Sequence, residues 1–170
     1  MRRIAVIGCP GAGKTELSRR LNAITGLPLI HLDRLYHDGR FDYRRNRSAW
    51  RQRVQELVHE PAWLIDGNYR STFDIRLPAA DTIIFLDYPT WLCLSRAIRR
   101  RLHFRTRVRP DMPASWREQL GFSFLHFILQ FRRRQAPELR RRLAELASDR
   151  QVIILKSPRQ AEHLLTELGG

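Results

Sequence analysis

The 170-residue chain is long enough for one domain with a substantial core, and its formal net charge of +14 rests on 31 basic against 17 acidic residues. No stretch approaches the roughly 18 apolar residues of a membrane span, the Arg-rich start does not read as a signal peptide, and two cysteines make neither a disulfide framework nor a metal cluster. The expectation is a cytoplasmic protein without membrane association, and the charge implies a polyanionic ligand or partner.

Arg3-Ile4-Ala5-Val6-Ile7 is a short apolar run of the kind buried on both faces of a parallel sheet. Behind it, Gly8-Cys9-Pro10-Gly11-Ala12-Gly13-Lys14-Thr15 fits G-x-x-x-x-G-K-[ST], a loop that wraps the phosphates of a nucleoside triphosphate. The chemistry explains the residue types. Glycine and Ala12 let the backbone approach a phosphate and turn several N–H groups toward one point. The next helix adds the positive end of its dipole. Lys14 supplies a mobile cation for the β/γ-phosphates, and Thr15 a hydroxyl ligand for Mg²⁺. Leu17, Leu21 and Ile24 recur at helical spacing until Gly26 and Pro28 stop the helix.

Residues 29–33 predict a second strand ending in the carboxylate of Asp33. Residues 34–47 are polar and aromatic, without periodicity, and predict a connection. Ser48 is placed to cap a helix with Trp50, Val54, Leu57 and Val58 on one face, closed by Pro61. Trp63-Leu64-Ile65-Asp66 is a third strand ending in a carboxylate, after which Gly67-Asn68-Tyr69-Arg70 leaves the sheet. Residues 82–87 form the fourth and most apolar strand. Pro89 suits the first turn of a helix with Trp91, Leu94, Ile98 and Leu102 facing inward. Residues 103–113 are basic and punctuated by proline, a loop or lid. Ser115 and Glu118 have capping-box spacing before a helix with Leu120, Phe124, Phe127, Ile128 and Phe131, and Pro137 can start another with Leu139, Leu143 and Leu146. Gln151-Val152-Ile153-Ile154-Leu155 is the last strand, and Ser157 with Gln160 repeats the capping box before the final helix.

Strands alternating with helices imply right-handed crossovers and a parallel sheet covered on both faces, a three-layer α/β/α architecture. Ligands in such sheets bind at the carboxyl ends of the strands, where Lys14, Asp33, Asp66 and Arg70 all fall. Asp66 can hold a Mg²⁺-bound water beside the phosphate loop, or cap the next turn. Asp33 can activate or orient an acceptor hydroxyl, serve as an outer-shell Mg²⁺ ligand, or cap a helix. Arg70 is either a phosphate ligand or a solvated surface arginine. Arg96 and Arg100 share a helix face; if it looks into the cleft they can stack on a base and clamp phosphate, and otherwise they are solvated. Tyr36, Tyr43 and Trp50 either line an acceptor pocket or pack in the core. Cys9 reads as a small loop residue and Cys93 as helix packing, and the six histidines show no metal-ligand spacing. Charge is regional: residues 96–142 hold 14 arginines against three acidic residues, so nucleic acid bound through this region stands as an alternative partner to a small-molecule acceptor.

With these residues the chain resembles the adenylate kinase-like group of P-loop kinases. Residues 8–15, with Pro10-Gly11, are similar to that group's G-x-P-G-x-G-K loop. Asp66-Gly67-Asn68-Tyr69-Arg70 resembles its D-G-x-P-R segment with Tyr69 in place of proline, and Asp87-Tyr88-Pro89 before Arg96 and Arg100 resembles its D-x-P…R-x-x-x-R segment. The resemblance implies a nucleoside monophosphate kinase-like P-loop NTPase fold with a five-stranded parallel sheet in order 2-3-1-4-5. It also implies an acceptor-side helical region over residues 34–61 and a basic lid over 103–135. ATP and Mg²⁺ are the implied cofactors, with Gly8, Pro10, Gly11, Ala12, Gly13, Lys14 and Thr15 around the nucleotide and Thr15 and Asp66 serving the metal. Arg70 would meet the acceptor's phosphate, Arg96 the adenine and Arg100 the phosphates of ATP, with Lys156-Ser157-Pro158 beside the base. Lys14, Asp33, Arg70 and Arg100 are the candidate catalytic residues.

A second resemblance runs nearly end to end, to the bacterial DNA topology modulation (FlaR-like) proteins, a kinase-like group. It is carried by His31-Leu32-Asp33, residues 63–69, Asp74-Ile75-Arg76, Arg109-Pro110-Asp111-Met112 and residues 152–158. Adenylate kinases have G-D-x-x-R on the AMP side, where this chain reads His31-Leu32-Asp33-Arg34-Leu35-Tyr36. That segment looks closer to kinases that phosphorylate a hydroxyl of a small metabolite or nucleoside. The expected function is transfer of the γ-phosphoryl of Mg-ATP to a small acceptor, a nucleotide or nucleoside ahead of another metabolite. Nucleotide-dependent DNA binding and NTP hydrolysis are the alternatives.

Overall fold

The computed structural model describes residues 1–37, 42–43, 45–104 and 121–170. Strands β1 (Arg3–Gly8), β2 (Leu29–His31), β3 (Trp63–Asp66), β4 (Thr82–Leu86) and β5 (Gln151–Leu155) form an all-parallel sheet in the order β2-β3-β1-β4-β5. The flanking helices are α1 (Lys14–Thr25), α2 (Leu32–Tyr36), α3 (Arg47–His59), α4 (Phe73–Ala79), α5 (Thr90–His103), α6 (Phe122–Gln130), α7 (Ala136–Leu146) and α8 (Pro158–Gly169). The expected α/β/α layers and strand order are both present. No helix among the described residues is long and apolar enough to cross a membrane. Residues 105–120 of the expected lid, with the cap at Ser115 and Glu118 and the segment Arg109-Pro110-Asp111-Met112, lie outside the described residues, and its remainder includes α6 and the turn Phe131–Gln135.

The central strand explains why the carboxyl edge becomes the site. β1 is buried from Ile4 to Ile7, with Ile4, Val6 and Ile7 each contributing about 2 kcal/mol of hydrophobic burial and Ala5 less. Val6 aligns with Asp66 of β3 on one side and with Ile84 of β4 on the other. In the same register His31 of β2 lies level with Asp66. The ends of four strands therefore meet the loop that follows Gly8.

Several local expectations are corrected. The second strand stops at His31, and Asp33 sits instead in the first turn of α2, where a carboxylate complements the helix dipole. Asn46, not Ser48, caps α3: its Oδ1 accepts from the Ala49 amide at 3.0 Å and from the Ser48 hydroxyl at 2.8 Å. On α5 the expected inward stripe is divided: Leu94 packs partly buried against the core, but Trp91 (69%), Ile98 (42%) and Leu102 (67%) are exposed, and Cys93 and Ala97 are the buried residues. The cause is close approach: a Cβ on Gly11 would lie 2.2 Å from the Cys93 carbonyl oxygen, so only small side chains fit between α5 and the loop. Pro137 stands in the first turn of α7, as expected, but the helix follows α6 without a break in the chain's winding. α6 runs into α7 through a π turn at Phe131–Gln135, in which the Ala136 amide donates to the Phe131 carbonyl, and proline's missing N–H marks the disturbed stretch. The last cap is as expected: Ser157 Oγ accepts from the Gln160 amide at 3.4 Å, and Gln160 Oε1 from the Lys156 amide at 2.6 Å.

Candidate active site

The loop between β1 and α1 needs glycine at two points. Gly11 has φ 85° and lies against Cys93, and Gly13 caps α1 at φ 100°, both in the left-handed region. The first residue of α1 is Lys14, whose ammonium folds back to donate to the carbonyls of Gly8 (3.0 Å) and Cys9 (3.3 Å). Burial pushes its pKa down, while the charges of Asp33 and Asp66 push it back up and Arg100 lowers it further. Three other expected site residues, Asp33, Asp66 and Arg100, thus lie within electrostatic reach of Lys14. Thr15 follows, partly buried, in the first turn of α1.

Arg96 and Arg100 lie on the inner face of α5, not on a solvated one. Arg96 donates to the Ala12 carbonyl at 3.1 Å, and its guanidinium stands 5.8 Å from the centre of the Tyr88 ring. Burial raises the Tyr88 phenol to about 12, so the ring stays neutral beneath that cation. Cys9 and Cys93 are both buried, and the Cys9 thiol donates to Cys93, which pushes Cys9 up and holds Cys93 down.

Asp66 is 4% exposed, and both its carboxylate oxygens lie 3.0 Å from Nδ1 of His31. This partner was not singled out from the sequence, although the expected 2-3-1 order sets both residues at the ends of neighbouring strands. The loop after β3 is joined to the glycine loop by Asn68, whose Oδ1 accepts the Gly8 N–H at 3.1 Å. A fully buried arginine holds this loop: Arg76 donates to Thr72 Oγ1 (3.1 Å), the Gly67 carbonyl (3.1 Å) and the Asn68 carbonyl (2.9 Å). Burial lowers the Arg76 guanidinium to about 9. Its role could not be read from residue type, because a charged side chain at a helical position is ordinarily solvated.

At the end of β4, buried Asp87 receives Arg140 of α7 through three contacts of 2.7–2.9 Å. Tyr36, Tyr43, Trp50 and Tyr69 pack together with ring centres 4.7–6.2 Å apart, edge-on or tilted except for the stacked pair Tyr36 and Tyr43, which is the core-packing alternative. Arg70 begins the turn Arg70–Thr72 and stands exposed at the mouth of a separate cavity of about 360 Å³. Lys156 lies exposed after β5, with Ser157 and Pro158 starting α8.

No protein-family model matches the chain, and no curated protein sequence does. Solved structures do match over almost the whole length. Shikimate kinase from Bacteroides thetaiotaomicron is 20% identical with a TM-score of 0.59, over 98% of this chain and 95% of that one. Shikimate kinase from Acinetobacter baumannii, solved in complex with shikimate, is 17% identical with a TM-score of 0.58, over 99% and 90%. A sugar kinase from a Janibacter species is 21% identical with a TM-score of 0.54, over 98% and 93%. At these identities the likeness is one of fold, and the fold is that of small-molecule P-loop kinases.

Proposed function

We propose that the protein is a Mg²⁺-dependent kinase that transfers the γ-phosphoryl group of ATP to a hydroxyl of a small acceptor. The observation supporting this is Lys14 folded onto the glycine loop, donating to the Gly8 and Cys9 carbonyls, with Asp33, Asp66 and Arg100 in electrostatic reach of it. A triphosphate fits the loop: a Cβ on Gly11 would intrude on the backbone, and α1 presents its N-terminus immediately behind. Mg²⁺ fits the donors Thr15 and Asp66, a hydroxyl and a carboxylate, both hard oxygen ligands. Among the described residues no three His, Cys, Asp or Glu side chains gather to hold a metal, so its other ligands would be water and nucleotide oxygens. When bound, the ion would neutralise phosphate charge.

The chain's own groups divide the remaining work. Lys14 can exchange its two carbonyl acceptors for phosphate oxygens without moving α1. Arg100 adds positive charge from α5, and Arg96 holds both the loop and the surroundings of the base. Asp33 faces Lys14 from α2 and takes the proton of the acceptor hydroxyl as its oxygen bonds to the γ-phosphorus and the bond to ADP breaks. The DNA-binding alternative lacks comparable support, since Arg140, Arg141 and Arg142 of the basic region are paired with Asp87 and Glu138.

The test is ADP formation from Mg-ATP with a panel of nucleotides, nucleosides and metabolites, against a control without acceptor, for the wild type and Lys14→Ala. Acceptor-dependent turnover that Lys14→Ala abolishes in a folded protein is expected. Wild-type ATP affinity and turnover in Lys14→Ala would refute the assigned site.

A further inference from the structure

The chain has only two cysteines, far apart in sequence, and the fold brings them together. Cys9 is the second residue of the glycine loop, and Cys93 lies on the inner face of α5. Both are buried, 3% and 0% exposed, and neither thiol has a part in phosphoryl transfer. The contact around them leaves little slack. A Cβ on Gly11 would meet the Cys93 carbonyl oxygen, and Arg96 of the same helix donates to the Ala12 carbonyl at 3.1 Å. The Cys9 carbonyl accepts from the Ala12 amide at 3.0 Å and from Lys14 Nζ at 3.3 Å. Loop and helix therefore meet at the residues that carry the two sulfurs. Packing alone does not call for sulfur there, since buried alanines, Ala12 and Ala97, fill the neighbouring positions.

The thiols are also unequal. The hydrogen bond from Cys9 holds Cys93 below its ordinary value, and the charges of Lys14 and Arg96 act in the same direction, against burial and the carboxylate of Asp87. The same bond, with burial, pushes Cys9 far up, so Cys9 keeps its proton. One sulfur beside two cations is disposed to be a thiolate, the form in which cysteine reacts, and its partner is already in contact.

Building on the nucleotide site of the kinase reading, we infer that Cys9 and Cys93 form a reversible disulfide when a peroxide reaches them, and that this bond shuts the glycine loop to ATP. The Cys93 thiolate attacks one peroxide oxygen and the O–O bond breaks. Cys93 becomes a sulfenic acid, and the released hydroxide takes a proton and leaves as water. The Cys9 sulfur then attacks the Cys93 sulfur, the S–O bond breaks, and the hydroxyl leaves with the Cys9 proton as a second water. Two thiols are oxidised and one peroxide is reduced to two waters. The new bond draws the loop onto α5, where Gly11 already touches the Cys93 carbonyl, so the loop backbone must shift to accommodate it. Displaced amides no longer converge on one phosphate, and loss of even one charge-assisted contact weakens ATP about tenfold.

The experiment treats the full chain with hydrogen peroxide, maps cross-linked peptides in a non-reducing digest by mass spectrometry, and titrates Mg-ATP before and after. A peptide joining Cys9 to Cys93 is expected, with ATP affinity lowered about tenfold or more, and dithiothreitol should reverse both. Cys93→Ala, a small side chain in a contact that admits only small ones, should bind ATP like the reduced wild type and keep that affinity in peroxide. Should Cys93→Ala fail to fold, Cys9→Ala, compared with itself before and after peroxide, makes the same test. By linkage, saturating Mg-ATP should raise the midpoint potential of the pair by about 30 mV for each tenfold difference in affinity. Sulfenic or sulfinic acid without the cross-link, oxidised protein that binds ATP within twofold of reduced, or an equal loss of affinity in the peroxide-treated alanine variant would each overturn the inference. Reduced protein that binds no Mg-ATP would remove the kinase reading and the gating with it, leaving the mapped disulfide standing. Normal ATP binding in a chain that forms no disulfide would do the reverse.

Discussion

Asp66 shows how tightly single residues are committed at the strand ends. Its carboxylate is buried against His31, so an amide in its place keeps the volume but loses the charge that both His31 and Lys14 meet. Asp66→Asn is therefore expected to lower turnover about a hundredfold while ATP affinity falls much less, because the loop amides and Lys14 remain. Steady-state kinetics beside nucleotide titration measures the two effects; normal turnover with unchanged Mg²⁺ dependence would reduce Asp66 to a structural partner of His31. Arg96 and Arg100 permit a second comparison. Arg96→Ala and Arg100→Ala should each lower phosphoryl transfer about ten- to a thousandfold, the range for loss of a preorganised charged contact. If instead transfer is unchanged and only a duplex-DNA salt slope becomes shallower, by about one unit per arginine, the electrostatic-surface reading applies.

At the level of elements, helix α5 is the instructive one. Spacing alone places Trp91, Leu94, Ile98 and Leu102 on one face; what periodicity does not carry is that only Leu94 of the four turns toward the core. The decision rests on Cys93 and Ala97, small enough to let the helix touch Gly11. Gly11→Ala is thus expected to cost about 2–4 kcal/mol, combining a left-handed φ with overpacking against a backbone oxygen. Denaturant unfolding would measure this, and wild-type stability in the variant would mean that the contact is soft. The strands, the glycine loop, the turn at Gly26 and the cap at Ser157 were legible because each depends on neighbours close in sequence. The partners of Asp66, Asp87 and Asn68 were not, because they arrive from elements far along the chain. The same limit applies to Arg76, whose burial follows from the path of the loop around it.

Across the whole molecule, the positive charge is less uniform than its sum. Arg140 fastens α7 to the end of β4 through Asp87, so Arg140→Ala should destabilise the fold by about 2 kcal/mol by stranding a buried carboxylate, as read from denaturant midpoints. Asp87→Asn in the same background should restore part of the loss. A second bond spans the sheet's other end. Burial disfavours ionisation of Asp81, yet the Thr82 hydroxyl and the amides of Arg2 and Arg3 hold its carboxyl below the ordinary value. Since the folded state binds this proton less readily, the stabilisation is present above about pH 4 and is lost as pH falls through the lowered value. The stability difference between wild type and Asp81→Asn should accordingly shrink in acid, and a difference independent of pH would assign Asp81 another role.

The position of β1 has a consequence for how the protein comes into being. β1 pairs with β3 and β4, both of which follow it along the chain, and β4 in turn waits for β5. During synthesis this apolar strand beside the glycine loop is therefore made before either of its neighbours exists, with both hydrogen-bonding edges open. Parallel pairing of distant segments is slow to form and prone to association until it closes. The strand that leads into the glycine loop is thus a point of self-association on the nascent chain, and a stretch a holding chaperone would have reason to cover.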